Sequence, residues 1–113
     1  MKTILLVDDE LWTRRVMSNT LGKLGFSVIE AVDGKEALHI LAEHSEIDLV
    51  ISDTQMLEMD GVIFSREAKA IRPNLPFILT SGNLEPTGHQ ADMFMLKPIS
   101  MDDLIDAVTI LLS

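Results

Sequence analysis

The sequence predicts an α/β protein: one domain over residues 1–113, built as a doubly wound, five-stranded parallel sheet of order 2-1-3-4-5. Three observations carry this. Short apolar runs alternate with amphipathic segments along the whole chain of 113 residues. The runs are apolar throughout, as in parallel strands covered on both faces. Finally, every intervening segment but one is long enough for a crossover helix, and right-handed crossovers leave few topologies. In the chosen order strands 1 and 3 are neighbours at the switch point, where ligands collect beyond the carboxyl ends of the strands.

Thr3–Val7 is short, β-branched at intervals and flanked by polar residues, which predicts the first strand. Leu11 to Leu24 follows as a helix, with Trp12, Val16, Met17, Leu21 and Leu24 at helical spacing and Gly25 suited to its stop. Phe26 to Ala31 predicts a second strand. Asp33 suits the cap of a helix from about Lys35 to Glu43, with Ala37, Leu38 and Leu41 on one face. Asp48 to Ser52 is a third apolar run, ending at Asp53. Gly61 to Ile71 reads as a helix closed by Arg72-Pro73. Pro76 to Thr80 predicts a fourth strand and Met93 to Leu96 a fifth. Ser100 then caps the last helix, with Asp103 at its third position in a variant of the capping box. Leu104, Ile105, Val108, Leu111 and Leu112 form that helix's apolar stripe.

One connection breaks the rhythm. Ser81 to Asp92 has twelve residues, is interrupted by Gly82, Pro86 and Gly88, and has only Leu84 and Ala91 as apolar residues. Two such residues cannot hold a helix on a sheet. The fourth helix is therefore expected to be short or replaced by a loop, mobile and leaving part of the sheet's edge exposed.

Composition bounds the function. Hydrophobic residues at 47% and charged residues at 24% suffice for a core and exclude disorder. A net charge of −9 argues against binding nucleic acid or anionic membrane through a basic surface. The absence of Cys excludes disulfides, thiol catalysis and Cys-ligated metal, and fits a reducing compartment. No apolar run exceeds four residues, far short of a membrane span, and Met1-Lys-Thr leads directly into a strand and then acids, unlike a signal peptide. A cytoplasmic location is expected. The initiating Met predicts a stand-alone protein or an N-terminal domain.

The topology crowds acids together. Asp8 and Asp9 follow strand 1 and Asp53 follows strand 3, so adjacent strands bring three carboxylates to one edge. Two charges about 4 Å apart at an effective dielectric near 20 repel by roughly 4 kcal/mol. Such repulsion calls for a cation or a shifted pKa, and an oxygen-only set favours a hard ion, Mg²⁺ above all. The simpler reading is that Asp8, Asp9 and Glu10 begin a helix, where acids suit the dipole; an acid ending a buried strand, as Asp53 does, has no such reason. Lys97 and Thr80 end strands 5 and 4 and so share the same edge. Taken singly, Lys97 could be an ordinary ion-pair partner, and a strand-closing Thr is uninformative. Together they supply what phosphoryl transfer needs: Asp53 as nucleophile, Mg²⁺ to neutralise phosphoryl oxygens, a hydrogen bond from Thr80 and a charge from Lys97.

Across its whole length the sequence resembles a receiver domain of bacterial two-component response regulators, the CheY-like family. The matching residues are Leu5-Leu-Val-Asp-Asp-Glu10, Asp53 followed by Met56 and Met59-Asp-Gly61, Leu79-Thr-Ser81, and Lys97-Pro98. The resemblance implies a flavodoxin-like fold with Asp53 as phospho-acceptor and Asp8, Asp9 and the Gln55 carbonyl as further Mg²⁺ ligands. It also implies Thr80 and Lys97 as phosphoryl contacts, Phe94 at the switch-aromatic position, and a cis Lys97-Pro98 bond. The implied partner is a histidine kinase or a histidine phosphotransfer protein. Three departures stand out: Leu57 replaces the usual Pro, Phe94 has no hydroxyl, and the fourth helix is short or missing. Shortened versions of that region resemble the receivers of hybrid histidine kinases and some stand-alone receivers.

Two other functional classes compete. A haloacid-dehalogenase-type phosphatase would place its nucleophile after strand 1 with a second Asp two residues on, but position 10 is Glu. A binding module that has lost phosphorylation would lack an acid or the Lys, and neither is lost. The expectation is a signalling switch that is not an independent enzyme and acts through a downstream protein or an attached domain. His39, His44 and His89 lack metal-ligand spacing and read as solvent-side, and the seven Met as core filler. Trp12, beside the acids, either packs on the core or forms a docking rim.

Overall fold

The computed structural model describes residues 1–113. β1 (Thr3–Val7), β2 (Ser27–Ala31), β3 (Ile47–Asp53), β4 (Phe77–Ser81) and β5 (Met93–Leu96) form one parallel sheet of order β2-β1-β3-β4-β5. The expected doubly wound topology is therefore the one found. Successive residues of each strand face opposite sides, so the sheet supports two cores. On one side Leu5, Val7, Val50, Phe77 and Leu79 meet α2 (Gly34–Glu43) and α3 (Gly61–Ile71) through Ala37, Leu41, Phe64 and Ala68. On the other, Ile4, Leu6, Leu49, Ile51 and Ile78 meet α1 (Leu11–Lys23) and α4 (Met101–Leu112) through Met17, Leu21, Leu104 and Val108.

The capping residues act as expected in two cases. Asp33 Oδ1 accepts the Glu36 N–H at 2.9 Å and Ser100 Oγ accepts the Asp103 N–H at 3.0 Å. Gly25, with φ of 97°, takes the left-handed turn after α1 that other residues resist. Strand boundaries move slightly: β3 starts at Ile47 and β4 runs to Ser81, because each gains its ladder partner one residue beyond the apolar run.

The stripe expected on α1 is corrected. Trp12, Val16 and Leu24 are exposed, while Arg14 is buried beside Met17 and Leu21. The spacing 14, 17, 21 is itself helical, and a paired guanidinium occupies the position that an apolar residue was expected to fill.

No helix forms between Ser81 and Asp92; the chain crosses as a loop. Its end is not free, however. Asp92 Oδ2 accepts from Lys69 Nζ at 2.7 Å and from the Phe77 N–H at 2.8 Å, and the Gln90 N–H donates to Ser65 Oγ at 3.0 Å. The freedom expected for the whole stretch is thus restricted at its C-terminal part. His89 is also not a solvent-side residue. Its side chain is 13% exposed, pairs with Glu85 Oε2 at 2.7 Å and stacks on Phe94 at 6.4 Å between centroids.

Candidate functional site

Register brings the acids together. Val7 pairs with Ser52, so the next residues, Asp8 and Asp53, emerge from neighbouring strand ends. Carboxylate oxygens of Asp8, Asp9 and Asp53, one from each residue, lie within 4.8 Å of one another. Asp8 is buried, Asp53 half-buried and Asp9 exposed, so the cluster opens to solvent on the Asp9 side. Lys97, just beyond β5, places Nζ 3.4 Å from Asp8 Oδ2 and 3.4 Å from Asp53 Oδ2. The Lys97-Pro98 peptide bond is cis.

Burial pushes the Asp53 carboxyl above its ordinary range, and the charge of Asp8 pushes it further. The Lys97 ammonium and the Thr54 N–H, which donates to Asp53 Oδ1 at 2.9 Å, pull in the other direction. The site thus holds an acid whose ionised form awaits more positive charge. Three carboxylates at one sheet edge offer oxygen donors alone, the set that a hard divalent cation takes.

Thr80 pairs with Asp53 across β3 and β4 and is buried. Its hydroxyl donates to the Ser52 carbonyl at 3.4 Å, and its own carbonyl accepts from Thr54 Oγ1 at 2.8 Å. Gln55 lies exposed in the loop two residues after Asp53. Phe94, opposite Leu79 in the register, is half-buried against the α2/α3 core. The loop returns to α3 through a bond from the Gly61 N–H to the Thr54 carbonyl at 2.7 Å. A Cβ at Gly61 would collide with the Asp53 carbonyl and come within 2.8 Å of Leu79 Cδ1.

Beside Lys97 an open apolar cleft of about 610 Å³ is lined by Trp12, Val16, Met17, Pro98, Ile99 and Met101, among others. Trp12 does not pack on the core: it is 76% exposed and lines this cleft. Three residues that bear on the site escaped sequence reasoning. Thr54 holds Asp53 and Thr80, Arg14 donates from Nη1 to the Asp8 carbonyl at 2.7 Å, and Glu30 receives Arg14 Nε at 2.9 Å. The helical spacing of Arg14 with Met17 and Leu21 was the available signal.

Fold and site together define a flavodoxin-like α/β domain with an acidic, oxygen-donor centre and one lysine at the carboxyl edge of its sheet. The model of the response regulator receiver domain family matches residues 4–109, and the chain belongs to that family. It is 39% identical over 113 residues to part of the sensor kinase CckA of Brucella abortus, covering 94% of this chain and 12% of that protein. Among solved structures, the receiver domain of the hybrid histidine kinase CckA is 37% identical with a TM-score of 0.86, covering 98% of this chain and 99% of that one. The response regulator TrrA of Thermotoga maritima, solved in complex with Mg²⁺-BeF, is 29% identical with a TM-score of 0.91, covering 99% of this chain and all of that one (100%). The chain spans 12% of the Brucella kinase and 25% of the Escherichia coli transcriptional regulatory protein GlrR, so it corresponds to one module of such proteins. No helix is long and apolar enough to cross a membrane.

Proposed function

We propose that the chain is a phospho-accepting switch in which Asp53 takes a phosphoryl group from the phosphohistidine of a kinase or phosphotransfer protein, in a Mg²⁺-dependent reaction. The observation that carries this reading is the meeting of three carboxylates within 4.8 Å with one ammonium 3.4 Å from two of them. In the transfer, a carboxylate oxygen of Asp53 forms a bond to phosphorus. The phosphorus–nitrogen bond of the donor breaks, and its electron pair leaves on the imidazole nitrogen. Asp8, Asp9 and Asp53, with the Gln55 carbonyl, would hold the Mg²⁺. When bound, this ion supplies positive charge to the phosphoryl oxygens. Lys97, 3.4 Å from Asp53 Oδ2, would add a second positive charge, and Thr80 is one residue from the loop that must respond.

The apolar cleft between α1 and the residues after Lys97 supports this reading as a seat for a donor protein, since it borders Lys97, whose ammonium contacts Asp53. The domain catalyses its own phosphorylation and hydrolysis and turns over no separate substrate. Its output passes to a downstream protein or an attached domain, through the Ser81–Asp92 loop joined to Thr80. A cytoplasmic setting fits the absence of Cys.

Incubation with acetyl phosphate and Mg²⁺ tests the reading. Acid-labile label should appear on the wild type, be lost in Asp53→Asn and be blocked by EDTA. Full labelling of Asp53→Asn would remove Asp53 from the role. Steady turnover of small phosphate esters would instead favour a phosphatase centred on Asp8.

A further inference from the structure

Asp8 is held from three directions that do not use the site. Its N–H donates to the Ala31 carbonyl at 3.1 Å, its carbonyl accepts from Arg14 Nη1 at 2.7 Å, and its Oδ1 accepts the Glu10 N–H at 2.9 Å. That leaves Oδ2 facing Lys97 and the acidic centre. Of the three anchors, the Arg14 contact is the one made by a side chain, and Arg14 is buried. A buried guanidinium needs partners. Arg14 has one on each side: its Nε donates to Glu30 Oε1 on β2 at 2.9 Å, while Nη1 reaches the strand end.

We propose that Arg14, oriented by Glu30, is a positioning residue for the cation and phosphoryl site. It pins the corner between β1 and α1 so that Asp8 Oδ2 stays where the three acids share one cation. This rests on the metal-dependent reading of the site given above. The physical need is plain. Three carboxylates within 4.8 Å repel one another, and the strand end bearing Asp8 and Asp9 relaxes outward unless its backbone is fixed. An anchor on the main-chain carbonyl resists that relaxation without occupying an oxygen the metal uses. A guanidinium suits the task because its planar fork serves two acceptors in different directions, which a lysine ammonium does not reproduce. Glu30 Oε1, which also pairs with Arg15 Nε at 3.3 Å, aims the fork.

The test compares wild type, Arg14→Lys, Arg14→Met and Glu30→Gln. Mg²⁺ affinity is measured by calorimetry, and initial acetyl phosphate labelling is followed as a function of Mg²⁺. Supporting groups behind metal ligands typically command about 10–100-fold in affinity. Arg14→Lys and Arg14→Met should therefore weaken Mg²⁺ binding about tenfold, with labelling recovering toward the wild-type rate at saturating Mg²⁺. Glu30→Gln, which keeps an acceptor oxygen, should weaken it by a smaller factor. Wild-type affinity in Arg14→Lys would overturn the proposal in favour of a charge role, and tighter binding in Arg14→Met would do the same. If the Arg14 variants do not fold by circular dichroism, Glu30→Gln decides: unchanged affinity overturns the proposal. Failure of the wild type to bind Mg²⁺ would overturn the site reading as well, whereas a wild type that binds alongside unaffected variants overturns this inference alone.

Discussion

Removing the charge of Asp53 should stabilise the protein even as it abolishes phosphorylation. Asp53 lies within 4.8 Å of both Asp8 and Asp9 and 3.4 Å from Lys97. At an effective dielectric of about 20, each repulsion costs about 3.5 kcal/mol or more, and the attraction returns about 5 kcal/mol. The attraction to Lys97 outweighs the repulsion by Asp8, and burial of the carboxylate is the largest cost to its ionised form. Solvent on the Asp9 side screens these values, so roughly 1–2 kcal/mol is the expected gain for Asp53→Asn in EDTA at pH 7. For a domain of this size that is about 4–8 °C in Tm. The pH dependence has a definite sign. Burial first, then Asp8, raises the folded-state pKa of Asp53. Its protonated form is thus the favoured one in the fold, and the stability that form contributes is present at low pH. That contribution is lost as pH rises from the ordinary carboxylate range through the raised folded value. The asparagine variant mimics the neutral form, so its advantage should be largest at pH 7 and vanish near pH 3. Mg²⁺ should stabilise the wild type more than the variant and narrow the gap. Thermal melts of both proteins at the two pH values, with EDTA and with Mg²⁺, provide the measurement. A variant less stable than wild type at pH 7 in EDTA, or an advantage independent of pH, would refute the electrostatic account.

Three further outcomes are expected. Asp9→Ala should weaken Mg²⁺ binding at least about tenfold, read by calorimetry and by the emission of Trp12, the sole Trp, which borders the site; unchanged affinity would place the metal elsewhere. Gly61→Ala should cost about 1–3 kcal/mol in urea denaturation, since the added methyl meets the Asp53 carbonyl and Leu79, and a neutral result would contradict the close approach. Beryllofluoride with Mg²⁺ should slow amide exchange in residues 82–88 while changing Gln90 and Ala91 less, because those amides already donate to Ser65 Oγ and His89 Nδ1. Equal exchange in the two states would remove the loop from the output.

Asp8, Asp9, Asp53, Thr80 and Lys97 were legible in the sequence because each sits at the end of an apolar run. In a parallel sheet, strand ends converge whatever the loops do. The missing helix was legible from its lack of apolar residues. What stayed hidden depends on pairing across elements. Arg14 reads as a polar residue of an amphipathic helix, and only the proximity of Glu30 on β2 and of the Asp8 carbonyl explains its burial. Trp12 satisfies the apolar spacing of α1 yet points to the cleft, because Arg14 takes the inward position. His89 reads as a solvent residue. A local bond to Glu85, an N–H from Ala91 and the face of Phe94 turn its ring inward.

The loop that replaces a helix changes how this domain can signal. An amphipathic helix is held by an apolar stripe, a continuous contact that resists local opening. Ser81–Asp92 is held instead by separate polar bonds at one end: Asp92 to Lys69 and Phe77, and Gln90 to Ser65. Each such bond is worth about 1 kcal/mol net, because water competes for the same groups. Opening free energy in this stretch should therefore lie well below that of the core strands that flank it. Thr80 and Ser81 feed directly into its weaker end, where the Asn83 N–H bonds Ser81 Oγ at 3.0 Å. Phe94 has no hydroxyl to exchange partners, so any response it makes is through packing, against His89 and the α2/α3 core. On the proposed reading, a phosphoryl group on Asp53 would act on a segment that takes little energy to reorder, with Phe94 packed against His89 of that segment.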